Sequence, residues 1–487
     1  MLTDNLARVT PALVGRCTSD MIDKEGHTFE MKRLALPLLL LAGTGLAAPT
    51  VLFAQAMPTN LLPEPQERND DADDAVTSSG GEVEMASAPV VQQIDPTVQQ
   101  WTVAQAESLA GVIENIGAHG LIPADYDLAG LRAQIAAGPS ATLDAEASRR
   151  FVWLVEDMRD GRTPMDGRKQ WFVMDPDADR YRSGAVLKQA LSTGDIMGAL
   201  ESVAPLHPDY EALKTELAKA KPGTKRHKLV QANMDRWRWL PRDLGHQYLI
   251  TNVPEYQLRL TVNDKIMRTY RTIVGKPGRT ATPQLAESVE GVILNPTWTV
   301  PQSIVKGEGL GARVLGNPAW ARSKGYTATR GANGYVSVVQ GPGDGNALGR
   351  MKLDMPNRHA IFFHDTPSRN LFSQSSRALS HGCVRTERAT ELALTLAILQ
   401  AGLTADEGVE ILASGEYTRV AFTKKMPAYI TYFTMATNID GEMSTFSDIY
   451  SRDDAVLAAF QAPRKANRSR VTDEEIIEIV DDPRDIA

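Results

Sequence analysis

Two periods divide the chain. From Trp101 to about residue 240, apolar residues recur every three or four positions, the spacing of one helix face. WTVAQAESLAGVIENIGAHG ends near Gly117 and Gly120, LAGLRAQIAAG stops at Gly138, and ASRRFVWLVEDMRDGR stops at Gly161. YEALKTELAKAK and KLVQANMDRWRWLP extend the same style, predicting an α-rich module of short helices over 99–245. From Gln247 the period falls to two. QYLITNV, YQLRLTVN, KIMRTYRTIVG, GVILNP, YVSVVQG and AIFFHD read as short strands between turn residues. Asn263-Asp264 and Asp440-Gly441 are turn pairs that suit tight hairpins. One helix interrupts, ERATELALTLAILQ, with Thr386 as N-cap and Gly402 as stop. Residues 302–333 break the strand rhythm and read as an insertion. The fold class is therefore α+β and multidomain: a helical module, a mostly β domain over 246–460, and a charged tail over 461–487 that reads as a solvated end.

The first hundred residues change the picture of the compartment. Met31-Lys32-Arg33 precedes an apolar run, Leu34 to Phe53, closed by Ala54-Gln55-Ala56. A basic start, an apolar stretch and a small-x-small end make a secretory signal over 31–56. The run over 34–53 is also about long enough for an uncleaved membrane anchor. Residues 1–30 look like an N-terminal extension from a start called too early. Residues 57–98 read as a disordered acidic linker. From Met57 to Pro96 there are nine acids and one base, a balance of −8 that equals the net charge of the whole chain. The rest is near neutral, so no basic field exists to hold nucleic acid.

Export sharpens the cysteine count. The chain has Cys17 and Cys383, and only Cys383 lies after the signal. An internal disulfide is excluded, leaving an inert core thiol or a nucleophile. The neighbours favour the nucleophile. His359, His364 and His381 lie within 24 residues of Cys383. A thiol reacts as thiolate, and a nearby imidazole can take its proton. His364 ends a strand, and the loop after it is long enough to return Cys383 to its side. Gly382 permits a sharp turn, so that the amides of His381, Gly382 and Cys383 point at one oxygen, as an oxyanion hole requires. A helix opening at Thr386 would favour the thiolate further. A zinc site from His359, His364, His381 and Cys383 has suitable ligand types but no familiar zinc spacing; His359 otherwise reads as a surface or structural residue. GPGDGNALG lacks the ending of a phosphate loop and reads as a turn segment. Trp237 and Trp239 read as packing between modules rather than a sugar platform.

SHGCVR (Ser380 to Arg385), preceded by HDTPSRNLF (His364 to Phe372), resembles the catalytic signature of the L,D-transpeptidases, the YkuD-domain family. NMDRWRWLP, NVPEYQL, VGKPGRTATP, NPTWTVPQSI and GPGDGNALGRMK extend the resemblance to the large periplasmic YcbB-type subgroup. Phe362 and Phe363 stand where that family often carries Tyr. The resemblance implies Cys383 as nucleophile and His364 as general acid and base. Asp365 would orient the ring through main chain or side chain. His381, Gly382 and Cys383 would supply the oxyanion amides, and Ser380 and Arg385 would shape the pocket or bind substrate. It further implies a capping insertion over about 302–350, a helical scaffold with a peptidoglycan-binding-like piece around Gly120 to Leu131, and no cofactor. The partners would be peptidoglycan stem peptides and carbapenem-type inhibitors, in the periplasm. The reaction would be 3→3 cross-linking through a thioester. A cysteine hydrolase of stems and a non-catalytic wall-binding protein are the alternatives.

Overall fold

The computed structural model describes residues 98–173, 177–307, 309–465, 472 and 474. The extension, signal or anchor, Cys17, most of the acidic linker and most of the tail lie outside the described residues. Among those described, no helix is long and apolar enough to cross a membrane.

Helices fill the first part, as the 3.6-residue period predicts. Val103–Asn115 opens on a capping box between Thr102 and Gln105. Ala141–Asp160 is capped by Ser140 and buries Leu143, Ala147, Phe151, Leu154 and Met158 along one face. Each large side chain so buried contributes about 1.5–3 kcal/mol. Ser183–Thr193 and Ile196–Glu201, which the pattern reading did not single out, complete the layer with Leu128–Ala137, Pro208–Lys219 and Lys225–Trp237.

The strands are β1 (Gln247–Asn252), β2 (Gln257–Val262), β3 (Lys265–Gly275), β4 (Leu285–Leu294), β5 (Trp298–Thr299), β6 (Tyr326–Arg330), β7 (Val336–Gln340), β8 (Met351–Asp354), β9 (Phe363–His364), β10 (Ala378–Ser380), β11 (Val384–Thr386), β12 (Thr418–Thr431), β13 (Met435–Thr437) and β14 (Met443–Thr445). Nine of them form one sheet in the order β10-β3-β11-β9-β8-β4-β12-β1-β2, and β2 also pairs with β3. That second pairing closes the sheet into a barrel-like form. The long β3 makes closure possible: residues 265–271 face β2, 272–273 face β11 and 274–275 face β10. Asn263 and Asp264 turn β2 into β3 with φ of 49° and 56°, the left-handed pair a tight hairpin needs. Gly441, with φ 81°, serves the β13–β14 hairpin.

The helical layer and the barrel share one apolar core. Trp237 lies between the rings of His207 (4.3 Å) and Phe433 (4.5 Å), both stacked, which makes it a packing residue. Trp239 is buried against Trp171. The insertion forms three short helices and strands β6 and β7, which with β5 just before it make the three-stranded sheet β5-β7-β6 around a core that includes Trp298, Ile304, Leu310 and Val338. The start of the tail departs from the solvated reading: the Arg464 side chain is buried on the helix 141–160, where it donates to Asp157 (2.8 Å) and Glu156 (2.7 Å).

Candidate active site

Two short parallel strands bring the predicted pair together. β9 and β11 pair Phe363 with Val384 and His364 with Arg385. The Val384 N–H donates to Phe362 O at 3.1 Å, so the register continues back and sets Cys383 opposite Phe362. Strand alternation then puts Cys383, Arg385, Phe362 and His364 on one face. Cys383 is thus offset from His364 by two residues on the neighbouring segment. His364 and Cys383 are both buried.

The imidazole is aimed by main chain. His364 Nδ1 lies 2.5 Å from Asp365 O. A carbonyl only accepts, so Nδ1 carries the proton and Nε2 of the neutral ring keeps its lone pair. Of the two ways Asp365 could orient the ring, the structure uses the carbonyl. Its carboxylate instead accepts from Arg350 N (2.9 Å) and pairs with Arg369 (3.1 Å).

The cysteine turn is held from three sides. Ser380 Oγ accepts from Gly382 N–H (3.0 Å) and donates to Cys383 O (2.6 Å). Thr282 Oγ1 donates to Gly382 O (2.8 Å) and accepts from Gly275 N–H (2.8 Å). Tyr450 OH donates to Gly275 O (2.6 Å) and accepts from Thr282 N–H (3.2 Å). Gly382 adopts φ 124°, a conformation that disfavours any side chain.

Two expectations are corrected. The Gly382 amide is drawn inward to Ser380, so it does not join the amides of His381 and Cys383 at a common oxygen. Thr386 is no N-cap: residues 384–386 form β11, and the helix begins at Ala389 after Arg388, whose φ is 51°. A strand therefore separates Cys383 from the positive helix end. Ser380 and Arg385 are fully buried, which suits shaping the turn and the barrel wall rather than meeting solvent. His381 is half-buried. His359 is buried beneath Phe172 at 4.3 Å, and burial together with Arg358 lowers its pKa. Among the described residues, no three His, Cys, Asp or Glu side chains gather as a metal site.

Sequence reasoning missed four contributors: Thr282, Tyr450, Ala360 and Lys352. The Cys383 Sγ donates to Ala360 O at 3.5 Å. Ala360 has φ 53°, and Asn357 holds that loop by donating to Met355 O and Ile361 O. Lys352 pairs with His364 across β8 and β9. Its Nζ lies 3.8 Å from the Phe362 ring centroid. Phe362 packs in turn on the core of the insertion, which seats that insertion beside β9. Only a register, not a spacing, could have pointed to Lys352.

Two family models match the chain. Residues 246–409 match the L,D-transpeptidase catalytic domain, and residues 98–217 match a Scaffold domain. A Haemophilus influenzae protein named "Putative L,D-transpeptidase" is 29% identical over 283 residues, covering 54% of this chain and 56% of that protein. The chain thus spans little more than half the length of that relative. Solved structures with some likeness include an L,D-transpeptidase from Mycobacterium smegmatis (13% identity, 38% of this chain, 58% of that chain, TM-score 0.19). L,D-transpeptidase 1 of Mycobacterium tuberculosis gives 11%, 38%, 61% and 0.17.

Proposed function

From an L,D-transpeptidase catalytic domain, of a cysteine transpeptidase family, preceded by a Scaffold domain, we propose that this chain is an exported periplasmic enzyme forming 3→3 peptidoglycan cross-links. Cys383 is the nucleophile and His364 the proton carrier. Sulfur attacks the carbonyl between the third, diamino-acid residue and the D-alanine of a tetrapeptide stem, while its proton passes to His364 Nε2. The oxyanion is met by the amides of His381 and Cys383, since that of Gly382 is engaged by Ser380. Collapse breaks the C–N bond, D-alanine leaves with the proton from His364, and a thioester remains. The amine of a second stem attacks the thioester, gives its proton to His364 and releases the thiolate, which recovers it.

One observation carries this reading. Cys383 and His364 share a face of adjacent strands, with Nδ1 fixed by a carbonyl so that Nε2 is the basic nitrogen. General acid–base catalysis of this kind is worth about 10²–10⁴-fold in rate. The test is incubation with a purified tetrapeptide-stem dimer. Cross-linked product supports transfer. Released D-alanine without cross-link indicates the hydrolase, and binding without turnover the wall-binding protein. Cys383→Ala should abolish both chemistries, and His364→Ala should slow them about 10²–10⁴-fold. Carbapenem-type β-lactams should acylate Cys383, seen as an intact-mass adduct that Cys383→Ala lacks.

A further inference from the structure

The row of side chains carrying His364 also holds a cation that the proposed reaction leaves idle. On one face of the sheet, registers run Arg419, Ile293, Lys352, His364, Arg385 and Ile273, from β12 through β4, β8, β9 and β11 to β3. Lys352 is the direct partner of His364. Its ammonium is held over the Phe362 ring, 3.8 Å from the centroid, and Phe362 lies opposite Cys383. A ring face fixes a cation electrostatically without neutralising it. The ammonium is thus held on the ring that lies opposite Cys383.

We propose that Lys352 is a positioning residue whose ammonium stabilises the thiolate of Cys383 through space. This rests on the reading of Cys383 as the nucleophile. The groups around Lys352 permit it. Ile293 on β4 is apolar. Asp354, further along β8, is held by Arg419 at 2.6 Å, which takes up much of its charge. The Asp365 carboxylate is turned to Arg350 and Arg369. On β9 stands His364, its direct ladder partner, and one strand further Arg385 on β11. Burial lowers the pKa of Lys352, while the charges of Cys383 and then Asp354 oppose that fall.

The test reads the thiol, not the cross-linking reaction. Full-chain protein is treated with iodoacetamide, an uncharged alkylator, across pH 5 to 10, and the adduct at Cys383 is quantified by peptide mass. An opposite charge within about 4–6 Å shifts an ionisation by one to three pH units. Taking the lower end for a half-buried group, Lys352→Met should slow alkylation at pH 6–7 about tenfold and move the profile to higher pH. The plateau at high pH should be unchanged, and Lys352→Arg should restore the original profile. The ratio of iodoacetate to iodoacetamide rates should also fall in Lys352→Met, because the anionic reagent loses its cation. Should Lys352→Met not fold, Lys352→Gln takes its place with the same expectations. A Met or Gln profile superimposed on the wild type overturns the proposal. So does an Arg variant as slow as the Met variant, which would indicate packing. A protein that shows the shift but transfers no stems would sink the transpeptidase reading and leave this one standing.

Discussion

Thr282→Val tests whether the cysteine turn is held from a distance. The side chain is fully buried, and valine keeps its shape while deleting one oxygen. That oxygen accepts from Gly275 N–H and donates to Gly382 O, each at 2.8 Å. Both partners are themselves buried. Stranding a buried donor or acceptor costs about 1–3 kcal/mol, so stranding two should cost about 2–4 kcal/mol after partial relaxation. Urea unfolding of the full chain, followed by tryptophan fluorescence, measures the loss. Thr282→Ser keeps the oxygen and should stay within about 1 kcal/mol of wild type, the cost of a lost methyl. The Gly382 carbonyl belongs to the peptide that delivers Cys383, so β-lactam acylation should slow in the Val variant and not in the Ser variant. A Val variant as stable as wild type, or Val and Ser variants that lose equally, would refute the hydrogen-bond account.

Tyr450→Phe removes the hydroxyl that bridges Gly275 O and Thr282 N–H. It should cost about 1–3 kcal/mol, and the double variant with Thr282→Val should lose less than the sum, because both hold one segment; additive urea midpoints would contradict this. His119 should make stability acid-sensitive, since burial, then Arg238 and Lys214, lower its pKa to about 4. The unfolded chain takes up the proton near pH 6.5 and the folded ring resists until about 4, so stability is full above 6.5 and is lost as pH falls across that window, by at most about 3 kcal/mol. Comparing urea midpoints at pH 7 and 4.5 checks it: His119→Asn should lose less than wild type, and equal losses would dismiss the buried imidazole as the cause.

What the sequence made legible was local. The Asn263-Asp264 turn, the Gly402 stop and the Asp440-Gly441 hairpin depend on one or two residues, and the structure forms all three. Thr386 shows where local preference loses. Its side chain suits an N-cap, but residues 384–386 are flanked by β3 and β9, and pairing on both sides outweighs one cap, worth about 1 kcal/mol. Helix entry then falls to Arg388 in a left-handed conformation. Thr282 and Gly382 are a hundred residues apart, and nothing periodic links them. Gly382 was legible as a turn but not as an amide spent on Ser380, because that depends on which way the serine rotamer points. Lys352 looks like any strand lysine until β8 is laid beside β9.

The contacts around the sulfur pull in opposite directions. The Cys383 Sγ donates to Ala360 O, and a carbonyl oxygen beside sulfur favours the protonated form. Ala360 reaches that position with φ 53°, a conformation alanine does not choose, so the loop anchored by Asn357 imposes it. Ionisation must release this hydrogen bond and turn the proton toward His364. An imidazole alone offers a positive charge only after it has taken the proton. A lysine ammonium is charged beforehand, which is why the field of Lys352 matters most at the moment the thiol leaves Ala360. Glycine adopts φ 53° without strain, so Ala360→Gly should keep the carbonyl at the sulfur and leave alkylation of Cys383 at neutral pH close to the wild-type rate, whereas Lys352→Met should slow it. If Ala360→Gly slowed alkylation as much as Lys352→Met, the loop rather than charge would govern the sulfur.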